Sequence, residues 1–61
     1  MPYEIFLALS LELASARTGT DTALLEPYSG ECHVIYMSNG TISEAADCVM
    51  DQITSDEVLE A

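Results

Sequence analysis

From Tyr3 to Leu13 the chain reads Tyr-Glu-Ile-Phe-Leu-Ala-Leu-Ser-Leu-Glu-Leu, with an apolar residue at every odd position. Alternation of period two is the pattern of a half-buried strand. Composition pulls the other way, since Leu, Ala and Glu are good helix formers. Pro2 would open a helix there, and Arg17 with Gly19 would close it. Wound that way, leucines fall all round the cylinder and Glu12 lands beside Ile5, Leu9 and Ala16, a surface that a small domain cannot bury on every side. The alternation is therefore read as a strand over 3–13. Cys32–Met37 (Cys-His-Val-Ile-Tyr-Met) carries β-branched and aromatic residues between Gly30 and Asn39-Gly40, and it predicts a second strand. Each strand needs a hydrogen-bonding partner, and the two segments supply one another. Residues 18–30 hold two Gly and a Pro around a short apolar patch, and read as a connection with a short strand or turn at Ala23–Leu25.

From residue 42 the period changes. Ile42, Ala45, Ala46, Val49, Met50 and Ile53 fall within an arc of about 140° at helical spacing, which predicts an amphipathic helix over 42–54. Asn39-Gly40 forms the loop into it, and Thr41 with Glu44 has capping-box spacing, with Ser43 as an alternative cap. Ser55 would cap a last turn carrying Asp56, Glu57 and Glu60, with Val58 and Leu59 folding back. The expected architecture is a single α+β domain over residues 1–61, a small antiparallel β-sheet covered by one amphipathic helix.

Charge then narrows the function. The 61 residues include 11 acids and one basic side chain, Arg17, giving a formal net charge of −10. Six of the acids lie between Glu44 and Glu60, and no basic residue follows Arg17. On a helix, Glu44, Asp47 and Asp51 fall within about 60° of one another, spaced ~4.5 and ~6 Å along the axis, close to the interval between phosphates on a nucleic-acid strand. Such a stripe suits a basic groove, and it repels DNA or RNA itself. An ordinary solvated helix face mixes the two signs, and this one carries no Lys.

Other chemistry finds little footing. Asp47 and Asp51 lack the alternate-position ligands and central Gly of a calcium loop. Cys32, His33, Cys48 and Asp47 lack the paired short spacing of a zinc site, so no metal or cofactor is expected. No nucleophile elbow, phosphate loop or H-E-x-x-H occurs, and no enzymatic activity is expected. The two cysteines are read as reduced, partly buried thiols, with a single bridge as the alternative. The apolar start lacks the Lys or Arg of a signal peptide and is interrupted by Glu4 and Glu12, and no run is long enough to span a bilayer. The expectation is a soluble cytoplasmic protein, monomeric or weakly dimeric, with no membrane or direct nucleic-acid partner.

In size, charge and the Glu44/Asp47/Asp51 and Asp56/Glu57/Glu60 clusters, the chain resembles the small acidic inhibitors carried by phages and mobile elements. Within them it is most similar to anti-CRISPR proteins directed at type I surveillance complexes. The likeness spans the whole chain as a character and rests on no shared motif. It implies a non-enzymatic inhibitor acting in the host cytoplasm by DNA mimicry, with those six acids as the partner-binding residues. They would occupy Lys/Arg positions on a Cas subunit, in the PAM-reading large subunit or the backbone groove. Two other readings stand beside it: an adaptor or antitoxin-like protein that neutralises a different basic partner, and a phage accessory protein whose acidity serves solubility.

Overall fold

The computed structural model describes residues 1–60, with side chains through Asp56. Among them there is no strand. Four helices follow one another: α1 (Tyr3–Thr18), the single-turn α2 (Thr22–Leu25), α3 (Ser29–Met37) and α4 (Ile42–Glu60), with a 3₁₀ turn at Glu26–Tyr28 running from α2 into α3. The expected α+β architecture is overturned by this all-helical arrangement. No antiparallel sheet forms from residues 3–13 and 32–37, because both segments are helical.

The alternation over 3–13 misassigned the buried side of α1. The buried residues are Phe6, Ser10, Leu11 and Ala14, at helical spacing, and three of those four are even-numbered. Ile5 and Leu9, odd-numbered and apolar, remain 51% and 38% exposed. The objection that a small domain cannot bury leucines all round is met by leaving part of them in water. Polar Ser10 is fully buried, and its hydroxyl is satisfied within the helix by donating to the Phe6 carbonyl at 2.7 Å. Pro2 accepts from the amides of Ile5 and Phe6, both at 3.1 Å, and opens α1. Gly19 closes it in the left-handed region at φ 72°, its amide donating to the Ser15 carbonyl at 2.8 Å.

With 3–13 hydrogen-bonded to itself, the segment at 32–37 has no strand to pair with. The helix penalty for Val34 and Ile35 is only a few tenths of a kcal/mol each. Packing of Cys32, Ile35 and Tyr36 on the core outweighs it. The helix α3 ends in a Schellman turn. Asn39 takes φ 62°, its amide donates to Tyr36 at 3.1 Å, and the Gly40 amide reaches back to the Ile35 carbonyl at 2.8 Å. Asn39-Gly40 is thus a loop into the following helix, as expected, though it leaves a helix rather than a strand. The patch at Ala23–Leu25 is likewise a helical turn, capped by Asp21, whose carboxylate accepts from the Ala23 amide at 3.1 Å.

The helix α4 follows its apolar pattern closely. Ala45, Ala46 and Val49 are fully buried, and Ile42, Met50 and Ile53 pack partly buried against them. Thr41 caps it, its hydroxyl accepting from the Glu44 amide at 3.1 Å. The helix continues through Ser55, so the separate turn expected there is part of the same element. The helix α1 packs most extensively on α4, and α3 lies against both. Ser10, Ala14, Ala45 and Ala46, all small, are fully buried where the helices pack together. Among the described residues no buried side-chain nitrogen or oxygen lacks a partner.

Candidate partner-binding surface

The acidic face predicted for α4 is present in its first half. Glu44, Asp47 and Asp51 are all exposed, and the helical rotation of 100° per residue keeps them on the side opposite the buried stripe. Their environments differ. The Glu44 carboxylate folds back along the first turn, with one oxygen 3.1 Å from where a Cβ on Gly40 would stand. A negative group there also complements the positive end of the α4 dipole. Asp47 is engaged: Arg17, at the end of α1, donates to its carboxylate at 2.6 Å and to the Ser43 hydroxyl at 3.4 Å. Asp51 stands exposed one turn further on.

Asp56 separates from the first cluster. Asp56 sits about 140° round the helix from Asp51. It accepts a hydrogen bond from the Tyr28 hydroxyl at 2.6 Å, tying the far part of α4 to the start of α3. The side chains of Glu57 and Glu60 lie outside the described residues. Of the four named acids whose side chains are described, three share the outer face of α4 and Asp56 joins a contact between elements.

One acid was missed. Glu31, half-buried on α3, lies close enough to Cys48 to act on it electrostatically along with Asp51, Asp47 and Glu44. Burial comes first in pushing the Cys48 thiol above its ordinary value, and these four carboxylates add to it, Glu31 foremost. The Cys32 thiol is also pushed up, mainly by burial, with a hydrogen bond with Ser10 opposing and Cys48 and Glu31 adding. Both cysteines are free. Nothing in the residue pattern could have placed Glu31 beside α4 once its neighbours were read as a strand.

The four residues weighed as a zinc set are dispersed by helix geometry. Cys32 is buried, while His33, one position on, is exposed and set edge-on against the Tyr3 ring at 5.2 Å between centroids. Among the described residues no group of three or more His, Cys, Asp or Glu is placed to hold a metal ion. No helix among them is long and apolar enough to cross a membrane.

A second feature lies beside the acidic face. An open groove of about 470 Å³ runs between the start of α1, the end of α3 and the start of α4, lined on one side by Met1, Phe6, Tyr36, Met37 and Ile42 and on the other by the polar turn Asn39-Gly40-Thr41. The Tyr36 ring packs edge-on against Phe6 and Tyr3, at 5.1 and 5.3 Å, and its hydroxyl donates to the Met1 carbonyl at 2.7 Å. Met1 and Met37 are 66% and 71% exposed. Comparison with family models, curated proteins and solved structures returns no match to this chain.

Proposed function

We propose that this protein is a non-enzymatic inhibitor acting in the host cytoplasm. It occupies a basic nucleic-acid-binding site on a CRISPR-Cas surveillance complex and blocks DNA recruitment by presenting carboxylates where phosphates would lie. The observation that carries the reading is the pairing of Arg17 with Asp47. The single basic side chain is spent on an internal tie, and Glu4, Glu12, Asp21, Glu26, Glu44, Asp51 and Asp56 are exposed around the molecule with no other side-chain cation to oppose them. A field of one sign steers a basic partner into contact and weakens as salt rises. Glu44 and Asp51 are the central contacts; Asp47 contributes less, because Arg17 already offsets its charge.

A mobility shift of a type I surveillance complex on its target DNA tests this, with and without the protein and at two salt concentrations. The expected result is loss of the shifted band, with weaker inhibition at higher salt. Glu44→Gln with Asp51→Asn should restore the band while leaving the Arg17–Asp47 pair in place. An unchanged band with the native protein overturns the reading.

A further inference from the structure

We infer that the groove between α1, α3 and α4 is an anchor site for an apolar side chain on a cationic, amphipathic peptide segment of the partner. This rests on the reading of the chain as a binder of basic protein and adds what the acidic face lacks, a source of specificity. Charge alone attracts any basic surface, whereas a pocket selects by shape. The groove has the composition of an adaptable docking site. Phe6, Tyr36 and Ile42 form an apolar floor, and two long unbranched thioether side chains, Met1 and Met37, stand exposed at its rim.

Charge complementarity identifies the occupant. The lining side chains are uncharged, Met1 brings its α-ammonium to one rim, and at the opposite edge the Glu44 carboxylate folds over Gly40 and opens onto the acidic face of α4. Thr41 and Ile42, at the groove, lead directly into the acidic face of α4. A segment seated here places its apolar residue among the methionines and its flanking Lys or Arg against Glu44 and Asp51. A second copy of this chain would bring another net charge of −10 to the same place, and anionic lipid is repelled likewise.

The probes are two dye-labelled peptides of identical charge, a Leu/Lys sequence with helical amphipathic spacing and its counterpart with every Leu replaced by Ala. Fluorescence anisotropy reads their affinities. The native protein is expected to bind the Leu peptide at least about tenfold more tightly than the Ala peptide. Met37→Glu separates pocket from charge, because it removes an anchor contact while adding a negative charge. It is expected to weaken binding of the Leu peptide and leave the Ala peptide equal or slightly tighter. Glu44→Gln with Asp51→Asn should weaken both peptides together. Equal affinity for the two peptides, or tighter binding of both by Met37→Glu, overturns the anchor while leaving the acidic face intact. Absence of binding to either peptide overturns the anchor as well, and the mobility shift then judges the acidic face on its own. A dimer in sedimentation that Met37→Glu converts to monomer assigns the groove to self-association instead.

Discussion

At Gly40 the residue is dictated by what a side chain would meet. A Cβ there would overlap the Ile35 side chain and come within 3.0 Å of the Ile35 carbonyl oxygen, on the same turn that carries the Schellman hydrogen bond. Gly40→Ala should cost about 1–3 kcal/mol in urea unfolding. Gly30 is helical with open space around its Cβ direction, so Gly30→Ala should stabilise by roughly 0.4–1 kcal/mol. Equal effects at the two sites would contradict this placement of the turn. The cysteines set a pH limit at the same scale. Burial raises both thiols in the folded state, so above about pH 8.5 the unfolded chain releases those protons first. The unfolded state then binds fewer protons, and stability present below that pH is lost as the pH climbs toward the folded thiol values. Unfolding free energies measured across the alkaline range should fall, with a shallower slope in Cys32→Ala.

Among the elements, α4 and its cap were legible because an apolar stripe, a polar face and a Thr-x-x-Glu start all agree. The stripe from Ile42 to Ile53 is the α4 contribution to the core, and Thr41 makes the expected bond. The helix α1 was not legible, because its apolar residues do not mark the buried side: Ile5 and Leu9 lie outside while Ser10 lies inside. The reading of α3 failed on its own residues, since the β-branched and aromatic run at 32–37 favours a strand only weakly and packing on the core decides for helix. Of the candidate site, the outward set Glu44/Asp47/Asp51 could be read from helical rotation alone. The Arg17–Asp47 tie, the place of Glu31 and the groove depend on contacts between distant segments. That tie joins side chains 36% and 66% exposed, so a double-mutant cycle with Arg17→Ala and Asp47→Ala should give a coupling of about 0.2–1 kcal/mol. A coupling near 3 kcal/mol would mean that the pair is far less solvated than its exposure indicates.

For the molecule as a whole, the modest Arg17–Asp47 attraction stands against the mutual repulsion behind a formal net charge of −10. Salt weakens both, and repulsion is by far the more numerous term. Raising ionic strength from about 0.01 to 0.15 M shortens the screening length from ~30 to ~8 Å. The melting temperature should therefore rise with sodium chloride, by roughly 4–8 °C for each kcal/mol of repulsion relieved in a domain of this size. Affinity for a basic partner should fall over the same range. Stability and binding respond to salt in opposite directions, and a melting temperature that fell with salt would contradict the dominance of self-repulsion.

The turn at Asn39-Gly40 also sets how this protein ages. In an Asn-Gly pair, the glycine amide nitrogen attacks the asparagine side-chain carbonyl, expelling ammonia and leaving Asp or iso-Asp after hydrolysis. Here that nitrogen is tied to the Ile35 carbonyl at 2.8 Å and the Asn39 backbone is held at φ 62°. Ammonia loss at Asn39 therefore becomes a slow chemical clock for opening of the α3 terminus, and each event adds one more carboxylate beside the groove.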